Sequence, residues 1–195
     1  MKYFLLVTSI FFVEQVFSQK KELPPPPSAE PKYIGGTKFN LQKRLSFYPF
    51  NKATQIKLVS FRGRPDTTDK IEEMLIWELP IVNDTICFSM LDQVKAINLK
   101  QVDSLTDILY NTIYRWNITI GTAGLCYYPR NAILFFDEND KPFEYIEICF
   151  ECDNLKYSSK KIAQAGVFDH MYNDLQKFFK RLGIKTTEAE FLNKK

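Results

Sequence analysis

Apolar and β-branched residues crowd Thr54–Phe61 (TQIKLVSF), and Arg62-Gly63-Arg64-Pro65 comes next as a turn. That pattern predicts a strand. Ile71–Leu79 (IEEMLIWEL) fits a short helix or a strand, and Pro80 ends it. Thr85–Met90 and Val94–Ile97 read as short strands. From Asn98 the period lengthens. Val102, Leu105, Ile108, Leu109, Ile113 and Trp116 recur at helical spacing and form one apolar stripe. Asn98 with Gln101 three residues on predicts a capping box, and Gly121 and Gly124 break the chain beyond the stripe.

Ala132–Phe136, the polar stretch Asp137-Glu138-Asn139-Asp140, and Phe143–Cys149 predict a β-hairpin. A last helix is expected over Phe168–Leu182, with Phe168, Met171, Tyr172, Leu175, Phe178, Phe179 and Leu182 as its stripe. Gly183 suits the left-handed position just past its end. The expected fold class is α+β: an antiparallel β-sheet with two amphipathic helices packed on one face. A single domain is expected over 50–185, with 186–195 as a frayed tail.

The N-terminal region has a different pattern. Lys2 precedes an almost wholly apolar run, Tyr3–Val13, and Val16-Phe17-Ser18 places a small residue before Gln19. This is the layout of a signal peptide over 1–18, cleaved between Ser18 and Gln19. Glu14 interrupts the run, which is too short to span a bilayer, so the mature chain is not expected to cross a membrane. The expected destination is periplasmic or secreted. Residues 19–49 read as a Pro-rich flexible tether: Pro24–Pro27 favour an extended polyproline stretch, and Pro31 and Gly35-Gly36 add breaks.

Twenty-six basic against twenty-three acidic residues leave a net charge of +3, and no nucleic-acid partner is expected from so mild an excess. Lys177, Lys180, Arg181 and Lys185 form a basic cluster that reads as the solvent side of the last helix. No G-x-S-x-G, G-x-x-x-x-G-K, H-E-x-x-H or G-x-G-x-x-G occurs. The chemistry-bearing residues are four cysteines: Cys87, Cys126, Cys149 and Cys152. With Asn139-Asp140 as the hairpin turn, facing residues sum to 279, which sets Leu134 opposite Tyr145 and Cys126 near Cys152. Cys126, Cys149 and Cys152 should therefore meet at the open end of the hairpin, and Cys87 could join them.

Three readings of the cluster stay open. An exported chain with an even cysteine count favours structural disulfides. Cys126, Cys149 and Cys152 could instead hold zinc, with Cys87, Asp153 or His170 as the fourth ligand. Cys149 and Cys152 could also form a redox dithiol, although the intervening Glu151 would oppose thiolate formation. His170, the single histidine, otherwise reads as solvated, with Asp174 one turn away. Tyr127, Tyr128 and Arg130 are candidates for a binding surface, since aromatic residues and Arg are enriched there, and packing around the cysteine cluster explains them equally well. Glu144 and Glu147 have opposite strand parity and should not form an acid–base couple.

The block Cys126-Tyr127-Tyr128-Pro129-Arg130, Ile133-Leu134-Phe135-Phe136 and Ile146-Glu147-Ile148-Cys149-Phe150-Glu151-Cys152 resembles one in uncharacterised secreted bacterial proteins. In those a histidine often comes after the Pro-Arg pair; here Asn131 stands there. The resemblance loosely takes in Asp103–Asn111 and brings no known activity, while the short leader ending before Gln19 fits a bacterial envelope protein. The functional expectation is an exported, non-enzymatic binding or structural module with an envelope or extracellular protein partner and no cofactor. The alternative is a thiol or zinc protein.

Overall fold

A computed structural model of the chain describes residues 38–65, 75–112, 126–165 and 169–192. The expected leader, the proline run, the Ile113 and Trp116 end of the first helical stripe, and Phe168 lie outside these residues.

Five antiparallel strands form the main sheet. They are β1 (Gln55–Phe61), β6 (Leu91–Ala96), β7 (Asn131–Phe136), β8 (Pro142–Cys149) and β9 (Asn154–Tyr157), in the order β6-β1-β7-β8-β9. Two small ribbons lie in the connection from β1 to β6: β2 (Arg64–Pro65) with β3 (Leu75–Ile76), and β4 (Ile81–Val82) with β5 (Thr85–Ile86). Helices α2 (Leu99–Asn111) and α3 (Asp169–Arg181) pack on one sheet face, giving the expected α+β arrangement. No helix among the described residues is long and apolar enough to cross a membrane.

The hairpin keeps its predicted register over most of its length. Asn131 faces Ile148, Leu134 faces Tyr145 and Phe135 faces Glu144. A one-residue shift then sets Phe136 opposite Pro142. The turn explains it: Asp140 adopts φ 55°, and the Asp137 carboxylate accepts from the N–H groups of Asn139 and Lys141 at 2.9 and 3.0 Å. An Asp at the start of a turn holds the loop this way, and a residue in the left-handed region inserts a bulge.

Alternation along the strands separates two cores. Ile56, Leu58, Ile133, Phe135, Ile146 and Ile148 meet Leu105, Leu109, Met171, Leu175 and Phe179 on the helix face. Val59, Phe61, Ala132, Leu134 and Phe136 point the other way, where Leu79 and Ile86 cover them. Both faces of β7 and most of β8 are thus dry, and all six residues of β7 are buried.

Helix α2 begins as its sequence predicts. The Asn98 side chain accepts from the Gln101 N–H at 3.0 Å, and Gln101 accepts in return from the Asn98 N–H at 2.9 Å. Asn98→Ala removes one half of this reciprocal cap and should lower stability by about 1 kcal/mol, measurable by urea unfolding with an unchanged m-value. Helix α3 ends in a Schellman motif. Gly183 sits at φ 79°, its N–H bonds the Lys180 carbonyl, and the Ile184 N–H bonds the Phe179 carbonyl.

The folded body extends past both expected limits. The tether expectation for 38–49 is corrected: α1 (Leu41–Leu45) lies there and packs against α2. Its anchor is Arg44, 6% exposed, which donates to the Asp103 carbonyl at 2.7 Å, Thr106 Oγ1 at 2.9 Å and the Asp103 carboxylate at 2.6 Å. The fully buried Asn111 side chain clamps the Phe39 backbone through its N–H (3.0 Å) and carbonyl (2.9 Å). The frayed-tail expectation is likewise corrected up to Leu192. Helix α4 (Glu188–Leu192) buries Phe191, and the Glu190 carboxylate caps the turn through the Thr186 and Thr187 N–H groups.

Candidate functional site

The cysteines lie where β8 ends. After Cys149 the chain turns through 150–153, with Asp153 at φ 46°, and returns as β9. On the other side β7 begins only at Asn131, so Cys126 lies beyond the hydrogen-bonded ladder. The Cys126 and Cys152 sulfurs are bonded, with Cα atoms 5.8 Å apart. Cys149 keeps a free thiol, wholly buried, and hydrogen bonds from the Tyr128, Cys152 and Glu151 backbone reach it. Burial pushes this thiol up, against the pull of those bonds. The expected convergence of Cys126, Cys149 and Cys152 is therefore present.

Cys87 is also a free thiol, half-buried, and its sulfur lies 3.3 Å from the Ser89 hydroxyl. It takes no part in the Cys126–Cys152 bond. The remaining sequence expectations change accordingly. Cys152 is bonded to Cys126 rather than to Cys149, so the C-x-x-C pair is not itself a disulfide. Two of the three sulfurs expected to hold zinc are bonded to each other. No group of three or more His, Cys, Asp or Glu suited to a metal ion occurs among the described residues. His170 is exposed on α3.

For Arg130 the packing reading holds rather than the binding-surface one. The residue is 6% exposed and pairs with Glu151 and, at 3.1 Å, with Glu188. Its guanidinium stacks on Trp77 at 4.4 Å. A Cβ on Gly63 would lie 2.8 Å from the same indole, so the ring is held between the Gly63 backbone and Arg130. Tyr128 completes the group, meeting Trp77 edge-on at 6.0 Å while remaining half exposed. The Trp77 segment and α4 together convert a surface Arg into a buried tie.

Tyr127 does line an accessible surface. It borders a groove of ≈ 560 Å³ with Asn154, Lys156, Tyr157, Ser158, Ser159, Lys160 and Gln164, along β9 at the sheet edge. Beneath it lies Glu147, 2% exposed, on the face opposite the helices. The Leu79 N–H donates to one carboxyl oxygen and the Tyr127 hydroxyl to the other at 3.1 Å. Lys156 Nζ lies 3.8 Å away and also bonds Glu78 at 3.1 Å. Burial raises the Glu147 carboxyl above its ordinary value, and the half-exposed Lys156 only partly offsets this. Burial and the neighbouring Glu147 also push the Tyr127 hydroxyl well up, so it remains a donor.

Glu144 lies on the helix face, as the strand parity requires. It accepts from Tyr48 and Ser159 hydroxyls, each at 2.7 Å, and from Ser158. Burial acts to raise this carboxyl, but the three hydroxyl donors and Lys161 outweigh it and hold it below the usual range. Nothing in the residue pattern marks the buried environments of Glu144 and Glu147. A carboxylate in a strand ordinarily reads as an outward residue, and its covering layers come from elsewhere in the chain.

Cysteine chemistry at this site has a direct expected readout. A maleimide should label Cys87 in the native protein and reach Cys149 only on unfolding, because thiolate formation and access are both opposed at Cys149. Peptide mapping after a timed exposure measures the order. Comparison with protein-family models, with curated proteins and with solved structures gives no match to this chain.

Proposed function

We propose that the chain is an exported, non-enzymatic binding module, braced by Cys126–Cys152 and recognising an envelope or extracellular protein. The observation that carries this reading is the disulfide itself, in a chain that opens with an apolar, leader-like run. Disulfides persist in oxidising compartments and are rare where thioredoxin and glutathione keep thiols reduced. The bond joins the approach to β7 with the turn before β9, directly beside the groove that Tyr127, Lys156 and Lys160 border. It fixes the groove's end without occupying it. Tyr127 contributes a large amphipathic ring, and the lysines contribute charge at the rim, the side-chain mixture common at recognition surfaces.

The test is expression of the full chain, leader included, in a bacterial host with a periplasm. The expected result is a periplasmic protein whose new N-terminus is Gln19. A cytoplasmic protein that keeps Met1 and its reduced thiols would overturn the reading.

A further inference from the structure

We propose that the outer edge of β6 docks an extended protein segment in which acidic and apolar residues alternate. This surface lies at the opposite edge of the sheet from the groove along β9. Three observations meet there: an open backbone edge, an apolar face and a basic face.

The backbone edge is set by the ladder. The Ile97 N–H bonds the Ile56 carbonyl, and Lys95 and Gln93 face Leu58 and Ser60 in the same register. In an antiparallel pair only alternate residues bond the neighbouring strand. Val94 and Ala96 therefore direct their N–H and C=O groups away from β1. Among the described residues β6 is a terminal strand of the sheet, and no strand pairs with its outer side. Such an edge is a template for an added strand.

The two faces differ in chemistry. Val94 lies opposite Val59 on the face away from the helices and is 46% exposed, with the exposed Met90 just before the strand. On the helix face Gln93 and Lys95 reach across to the end of α3. Gln93 donates to the Gly183 carbonyl at 2.8 Å, Lys95 donates to the Leu182 carbonyl at 2.7 Å, and the Lys185 N–H donates in return to Gln93. These contacts bring Lys95, Arg181 and Lys185 to one corner. Lys180 pairs with Glu190 and Arg62 with Asp92, whereas Lys95 meets a carbonyl and Lys185 an aromatic ring. The corner is left with excess positive charge. A strand added here would set its side chains alternately against Val94 and against the basic corner. Apolar residues suit the first position and carboxylates the second.

Hydrogen exchange of the full chain tests this with a capped eight-residue peptide alternating Val and Glu. The expected result is at least tenfold slower exchange at Val94 and Ala96, lost with the Val/Lys peptide. Val94→Pro should abolish the protection while the β1–β7 ladder stays protected, because that N–H points outward. Should Val94→Pro fail to fold, Arg181→Glu with Lys185→Glu provides the second arm: it should reverse the preference toward the Val/Lys peptide. Equal protection by both peptides, or none, would overturn the proposal. So would concentration-dependent protection without peptide, which would mean a second copy. Binding to phosphatidylglycerol vesicles with no protection of Val94 and Ala96 would also overturn it, in favour of a membrane surface.

Discussion

Replacing Cys126 and Cys152 together by serine should lower the unfolding free energy by about 3.5 kcal/mol. That magnitude comes from the sequence separation of 26 residues between the bonded cysteines. A cross-link of that span removes loop-closure entropy from the unfolded chain, which the double variant regains. The Tyr127–Glu147 and Arg130–Glu151 contacts remain in the double variant, but neither holds Cys126 itself. Cys126 lies outside the β7–β8 ladder, and the disulfide is its covalent tie to the turn before β9. Beyond this global loss, local opening should become easier at that corner. Amides of 126–130 and 150–157 should exchange faster than those of the β1–β7 ladder. Urea unfolding of the double variant beside the oxidised protein gives the magnitude, and exchange gives the location. A change below about 1 kcal/mol would mean that the bond is absent from the protein in solution or that the corner is held by other contacts.

Glu147→Ala is expected to cost about 2–3 kcal/mol, whereas Glu147→Gln should stay within about 1 kcal/mol of the parent at neutral pH. The alanine strands the Leu79 N–H in a place that is 2% exposed, and removes the acceptor of the Tyr127 hydroxyl. Tyr127 borders the groove and can turn toward water, so most of the loss comes from Leu79. Glutamine keeps a carbonyl oxygen for the Leu79 N–H and removes the ionisation, and its amide N–H can donate to the Tyr127 oxygen in place of the acceptor lost there. The pH dependence separates the two effects. Glu147 is raised in the folded state, so its contribution is complete below the ordinary carboxyl value of 4.5 and declines as pH rises through its raised folded value. Above that range the folded protein carries a buried carboxylate that the unfolded chain would leave in water. Glu147→Gln should flatten this decline. Glu144 has the opposite sign: its value is lowered, so its contribution is present above 4.5 and is lost as pH falls through its folded value. Stability measured from pH 3 to pH 8 in parent and Glu147→Gln therefore distinguishes the two carboxyl groups of one strand.

Much of this architecture is legible in the residue pattern, for identifiable reasons. The hairpin is readable because β7 is apolar throughout most of its length and its loop opens with an Asp that ties its own turn. The start of α2 is readable because Asn98 and Gln101 are close in sequence and bond each other. The meeting of Cys126 with Cys152 comes from counting along the hairpin, even though the ladder stops at Asn131. The features hidden in the residue pattern depend on distant partners. The folded stretch 38–49 is held by a charged residue, Arg44, whose burial needs Asp103 and Thr106 from α2. Arg130 looks like a surface residue until Trp77 and Glu188 close over it. The dry environment of Glu147 depends on Leu79, at the end of the ambiguous stretch that contains Trp77. Phe191 alone makes a weak apolar signal, yet its burial holds α4.

Disulfide mapping of the full chain, expressed in a host with a periplasm and kept under non-reducing conditions, decides whether this corner is cross-linked as described. A cross-linked peptide pair containing Cys126 and Cys152, with Cys87 and Cys149 recovered as thiols, is the result this account predicts. A Cys149–Cys152 bond, or four reduced cysteines in protein recovered from the periplasm, would contradict it.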